Sequence, residues 1–139
     1  MSTTPLELEI PPIPAYVGTV RLFVAAVARQ AGIEEDEVDD LKVMVSEACT
    51  GAIRNRSEAA SEEGVRVQMT PGDGTLLVEV PRAFDEDAVS SEGTTDNIAR
   101  GLGAELVRAL FPQAELVPDG AGMTSLRVVL ATGGSAGSG

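Results

Sequence analysis

Val43-Met44-Val45-Ser46-Glu47-Ala48-Cys49-Thr50-Gly51-Ala52-Ile53-Arg54-Asn55 decides how this chain is read. The stretch belongs to an apolar stripe, Val38, Leu41, Val45, Ala48, Cys49 and Ala52, that recurs at helical spacing. The acidic cluster Glu34-Glu35-Asp36-Glu37 precedes it, and negative charge is favoured at a helix N-terminus. A helix is therefore predicted from that cluster to somewhere between Arg56 and Ala60. Residues four apart on a helix share a face. Glu47 and Gly51 accordingly stand together, away from the Val38/Leu41/Val45 stripe, where a ligand could be met. Gly51 costs about 1 kcal/mol of helix propensity relative to alanine and offers the fold no obvious gain.

Working outward, Leu6, Leu8 and Ile10 alternate with Glu7 and Glu9, which predicts a half-buried strand ended by Pro11, Pro12 and Pro14. Tyr16, Val20, Phe23, Val24, Val27 and Ala31 predict a first helix from about Ala15 to Gln30, closed by Gly32. Val65, Val67 and Met69 alternate with Arg66 and Gln68, and Leu77, Val78 and Val80 follow. These two runs predict a hairpin across Pro71-Gly72-Asp73-Gly74, a loop longer than two residues. Pro81 to Thr95 has weak periodicity and reads as loop. A third helix is expected from Asn97 or Gly101 to Leu110, with Leu102, Leu106, Ala109 and Leu110 inward. Ala114–Val117 and Ser125–Leu130 predict a last strand pair. The fold class is α+β: a two-layer sandwich with a mixed, mostly antiparallel sheet covered on one face by helices. Residues 1–132 are expected to form one domain, and 133–139 a disordered Gly/Ser tail.

Composition narrows the chemistry. The chain has 139 residues, 43% of them hydrophobic and 3% aromatic, so its core must be aliphatic. Without any histidine, imidazole metal sites, Ser-His-Asp triads and phosphohistidine relays are excluded. Any general base must be a carboxylate, Lys or Tyr. Cys49 is the single cysteine and has no internal disulfide partner. A net charge of −12 disfavours direct contact with a nucleic-acid backbone, which needs Lys and Arg. It suits solubility, or docking on a basic protein. The polar, acidic N-terminus is no secretory signal and no run is long enough to span a membrane, so a cytoplasmic protein is expected.

Three local motifs and the order of elements resemble the anti-sigma-factor and serine-protein-kinase branch of the GHKL (histidine-kinase-like, Bergerat) ATPases. The resemblance covers nearly all of residues 6–131. Leu41 to Ala52 resembles a Ser-Glu-Ala-x-x-Asn-Ala core. By that resemblance Glu47 is the general base, here vestigial, and Gly51 stands where an asparagine ligates Mg²⁺. Glycine has no side-chain oxygen for a hard cation. An Asp-x-Gly-x-Gly motif that reads adenine is missing from Val78-Glu79-Val80-Pro81-Arg82-Ala83-Phe84-Asp85. Its aspartate falls at Pro81 or Arg82, and neither side chain accepts a hydrogen bond from adenine. Arg100-Gly101-Leu102-Gly103 resembles the glycine pair that ends the ATP lid and opens a helix N-terminus onto phosphate. Thr124 matches a threonine near the adenine, and Asn55 stands where the family often has histidine.

The resemblance implies an anti-sigma-type, partner-switching regulator. It would bind a sigma factor, be released by a STAS-domain antagonist, and form a homodimer through the sheet edge and first helix. No cofactor is expected; ATP and Mg²⁺ enter only if the site still works. Two alternatives stay open. One is a metabolite sensor that uses the remodelled pocket, with Arg82 or Arg100 meeting an anionic group. The other is an active ATP-dependent serine kinase acting on a STAS-domain antagonist. The candidate site residues are thus Glu47, Gly51, Arg82, Arg100, Gly101, Gly103 and Thr124.

Overall fold

A computed structural model describes residues 4–87 and 95–132. The elements are β1 (Leu6–Ile10), a 3₁₀ turn (Pro14–Tyr16), α1 (Val17–Gln30), α2 (Glu35–Glu58), β2 (Val65–Gly72), β3 (Thr75–Asp85), α3 (Thr95–Leu110), β4 (Glu115–Pro118) and β5 (Met123–Ala131). The strands form one five-stranded sheet in the order β1-β2-β3-β5-β4. The two-layer α+β sandwich is as expected, and the sheet is antiparallel at every pairing rather than mixed. The expected tail, 133–139, lies outside the described residues.

Alternation places the layers. Val65, Val67 and Met69 of β2, Leu76, Val78 and Val80 of β3, and Leu126, Val128 and Leu130 of β5 are buried under the helices. Val20, Val24 and Ala28 of α1 and Val38, Leu41, Met44, Val45, Ala48, Cys49 and Ala52 of α2 meet them from above. The other face of the sheet is mostly polar, with Leu77 and Val129 as a cross-strand apolar pair on it. Cross-strand register lines up Glu7, Gln68, Glu79, Arg127 and Glu115 in one row over it.

The ends of α1 and α2 follow local chemistry. Gly32, with φ of +88°, reverses the chain after α1. Ile33 N–H then donates to the Ala28 carbonyl and Gly32 N–H to that of Arg29, a left-handed glycine cap. Glu35, Asp36 and Glu37 occupy the first turn of α2, which needs no side-chain cap.

Three expectations are corrected. The β2–β3 loop is the two-residue turn Asp73-Gly74, because Pro71 and Gly72 still pair with Leu76 and Thr75; Gly74, φ +67°, meets the backbone demand of such a turn. The run from Pro81 to Asp85 belongs to β3, not to a loop, and enters it through an irregularity. Of the described part of α3, Ala104 and Val107 face inward, followed by Phe111; Leu110 packs on the core as expected, whereas Ala109 is exposed and Leu102 and Leu106 are 61% and 38% exposed. Among the described residues, no helix is long and apolar enough to cross a membrane.

Candidate functional site

The irregularity in β3 is the centre of the site. Val80 pairs with Leu126 and Phe84 with Thr124, so Pro81, Arg82 and Ala83 stand opposite Ser125 alone. A bulge of this kind breaks the ladder and leaves backbone groups to be satisfied elsewhere. Each of the following finds a side chain. The Arg82 N–H donates to Ser125 Oγ at 3.1 Å. The Arg82 carbonyl accepts from Arg56 Nη1 at 2.9 Å. The Phe84 carbonyl accepts from Thr124 Oγ1 at 3.1 Å, and Thr124 is buried. Proline at 81 has no N–H to satisfy. Arg82 itself holds φ at +54°, a left-handed conformation that costs a non-glycine residue about 1 kcal/mol.

The bulge turns the Phe84 ring into the helix layer, where it is 3% exposed. It meets the two helices where both carry glycine. A Cβ placed on Gly51 of α2 would lie 2.6 Å from the Ala83 carbonyl oxygen and 3.0 and 3.1 Å from Phe84 Cδ1 and Cε1. A Cβ placed on Gly103 of α3 would lie 3.2 Å from the same Cε1 and 3.4 Å from Glu47 Oε1. The ring edge thus sits in a notch between two glycines, with Glu47 over the α3 side of it. Gly51 is therefore needed by the fold: any side chain there meets a backbone oxygen that cannot rotate away. This overturns the expectation that it brings no structural gain.

The structure accordingly gathers Glu47, Gly51 and Gly103 around Phe84, and Thr124 holds the Phe84 carbonyl from β5. Other candidates go elsewhere. The Arg82 side chain turns to the surface, pairing with Glu63 Oε1 at 2.9 Å and lying 3.9 Å from Asp119 Oδ2. Gly101 and Gly103 lie inside α3, which begins at Thr95, so they do not open a helix onto an anion as expected. Arg100 belongs to the same helix, and its side chain lies outside what the structure describes.

Sequence reasoning missed Arg56 and Phe84. Arg56 is 5% exposed and also donates to the Gly64 carbonyl at 3.2 Å, tying the end of α2 to the start of β2. Burial pulls its pKa down and the nearby Glu63 pulls it up; a guanidinium stays charged under such a push. The signal was present in the chain. Arg56 continues the stripe Val45, Cys49, Ala52 by one more turn. Asp119, in the β4–β5 turn, has a carboxyl held below its usual range, first by the Ala121 N–H and then by that of Met123.

Magnesium and nucleotide, as the resemblance would place them, meet these residues at positions 51, 81 and 82. Position 51 has no oxygen donor and no room for one, Pro81 and Arg82 offer adenine no acceptor, and an aromatic ring fills the notch. Among the described residues, positions 51, 81 and 82 do not fit magnesium or adenine as the resemblance places them.

A sheet in this strand order, layered by α1, α2 and α3 with a glutamate-bearing helix over the central hairpin, defines a histidine-kinase-like ATPase fold. The chain belongs to that family: the pattern of the histidine kinase-like ATPase domain matches residues 10–129. Among its relatives are proteins named serine-protein kinase RsbW. That of Bacillus pumilus (strain SAFR-032) is 34% identical over 124 residues, 80% of this chain and 76% of that protein. Those of Bacillus velezensis and Bacillus subtilis (strain 168) are 32% and 31% identical over 122 residues, with the same coverage. A crystal structure of the RsbU and RsbW domains of a Mycobacterium tuberculosis protein is similar with a TM-score of 0.63 at 19% identity. The likeness covers 91% of this chain and 31% of that longer one, and at this identity it speaks to the fold alone.

Proposed function

We propose that this chain is an anti-sigma-type partner-switching regulator that captures a sigma factor and yields it to a STAS-domain antagonist without phosphorylating that antagonist. One observation carries the proposal. A chain similar to RsbW kinases along four-fifths of its length has, at the position of the expected Mg²⁺ ligand, a glycine packed 2.6 Å (as a Cβ) from the Ala83 carbonyl. Phosphoryl transfer rests on placing metal and phosphate, and position 51 can place neither. What is left for selection to act on is protein affinity. The net charge of −12 suits a partner with a basic DNA-binding face.

A homodimer through the β1 edge and α1 fits the same reading. β1 is an edge strand, whose outer backbone groups are open to pairing. Beside it runs an apolar groove of about 450 Å³ lined by Leu6, Ala26, Val27, Gln30, Ala31 and Pro71. Leu22, 75% exposed, lies one turn before Ala26 on α1.

The metabolite-sensing reading is weakened by Arg82, whose charge is engaged by Glu63 rather than offered to a ligand. The kinase reading keeps one support: Glu47 remains on the face that meets α3. The deciding experiment incubates the full chain with labelled ATP, Mg²⁺ and a STAS-domain protein, and in parallel measures its affinity for sigma factors with and without ATP. The expected result is sigma-factor binding that ATP does not change, and no labelled antagonist. Label transfer abolished by Glu47→Ala overturns the proposal in favour of the kinase. Failure to bind any sigma factor removes the anti-sigma role.

A further inference from the structure

The geometry points to Phe84 as a built-in occupant of the α2–α3 seam: its ring holds α3 on α2 in one arrangement and makes closure of that seam independent of any ligand. Four observations converge. The bulge at Pro81–Ala83 has no function in sheet pairing, yet its Arg82 and Phe84 groups are held by Ser125, Arg56 and Thr124. The bulge aims one ring inward, and Phe84 is buried. Both helices present glycine to the same ring edge, with Cβ positions 3.0–3.2 Å from Cδ1 or Cε1. Glu47 lies over Gly103, so α3 touches α2 directly beside the ring.

Packing explains why this acts as a clasp. Dispersion falls steeply with distance, so a ring seated in a glycine notch loses much of its contact when one wall withdraws. A larger residue on either wall would hold the helices apart. Two glycines and one ring therefore favour a single helix spacing. Away from this seam Ala104, Val107 and the partly buried Leu110 of α3, with Phe111 just after it, pack on the core. At Gly103 the ring fixes α3 against α2. This inference concerns the seam alone and holds whether or not a sigma factor is the partner.

The test follows amide hydrogen exchange of the full chain, segment by segment, in Phe84→Ala, in Phe84→Leu and in Val24→Ala, a core truncation in α1. Phe84→Ala is expected to speed exchange in residues 101–110 by about tenfold or more beyond any change in β2 or α1, because the opening is local. Adding benzene, sized for the vacated space, is expected to restore much of the protection. Val24→Ala is expected to spread its effect without favouring α3. The single thiol gives a control. Cys49 is buried on the other face of α2 from Glu47 and Gly51, so its labelling by a thiol reagent should stay slow in Phe84→Ala if the opening is confined to the seam. If Phe84→Ala does not fold, Phe84→Leu decides by the same α3-selective criterion. Uniform loss of protection, or none in α3, would overturn the inference.

Discussion

Two regions of this molecule exchange the roles that the motifs assign to them. The α2–β3–α3 seam carries the residues that the resemblance assigns to a nucleotide site, and the Phe84 ring sits between its two helices. The β1–α1 flank carries no motif and is open, with an edge strand and an apolar groove side by side. In the first region Gly51 and Gly103 make room for the Phe84 ring. In the second, small and apolar residues remain uncovered. A motif tells where an ancestral site lay; sterics tell whether space is still there.

The sharpest way to break the contrast is to restore the missing ligand. Gly51→Asn is expected to destabilise the domain at or above the upper end of the overpacking cost of about 1–3 kcal/mol, because the colliding atom is a carbonyl oxygen. The melting temperature should fall by roughly 10 °C or more, with no gain of magnesium-dependent ATP binding by calorimetry. A variant of unchanged stability that binds ATP would show that the seam is open after all.

The next test separates buried from exposed arginine within the seam. Arg56→Met keeps the apolar stem and strips the donors from the Arg82 and Gly64 carbonyls. It should cost about 2 kcal/mol in chemical denaturation. Arg82→Met removes an exposed pair with Glu63 and should cost at most about 1 kcal/mol. Equal losses would mean that the bulge is not held by Arg56. Thr124→Val should fall between, at about 1 kcal/mol, since the Phe84 carbonyl loses its donor, while Thr124→Ser should be close to neutral by the same assay.

These residues also show what was legible in the chain. The stripe of α2 was readable because its apolar positions keep the helical period without interruption. The hairpin was readable, but its turn was not: Pro71 and Gly72 have loop chemistry yet stay in register. The bulge was unreadable because a proline and two extra residues erase the period of two. The face of α3 was misassigned for a related reason. Leu102 and Leu106 dominate any count of hydrophobicity, whereas the helix docks through Gly103, Ala104 and Val107, and close approach selects small residues. For the site, Glu47, Gly51 and Gly103 were found by resemblance, and they do converge. Phe84 was not found, because nothing local tells that its ring crosses to helices that begin 49 and 11 residues away.

Acid sharpens the comparison by acting outside both regions. With no histidine, stability should be flat from about pH 6 to 8. The carboxyls of Asp119 and Glu35 are held below their usual values, by the Ala121 N–H and by Arg29 respectively. Their contribution is present above the unfolded pKa and is lost as pH falls through the lower folded one, so decline is expected below about pH 4. At the alkaline end Cys49 is pushed up to about 12 by burial. The unfolded thiol ionises first, so stability should fall as pH rises beyond about 9. Denaturation midpoints across pH 3–10 measure both limbs, and a step near pH 6.5 would contradict the account.

The smallest effect on folding, and the most informative about the open region, belongs to Leu22→Asp. The side chain is 75% exposed, so the substitution should change monomer stability by no more than about 0.5 kcal/mol. If α1 and the β1 edge join two copies, an aspartate in that apolar face must be desolvated on association, which costs far more than the leucine it replaces. The sedimenting mass should drop from dimer to monomer at equal protein concentration. Phe84→Ala, altered in the closed region, should leave the mass unchanged. If instead Phe84→Ala dissociates the protein and Leu22→Asp does not, the open flank and the filled seam have been assigned the wrong way round.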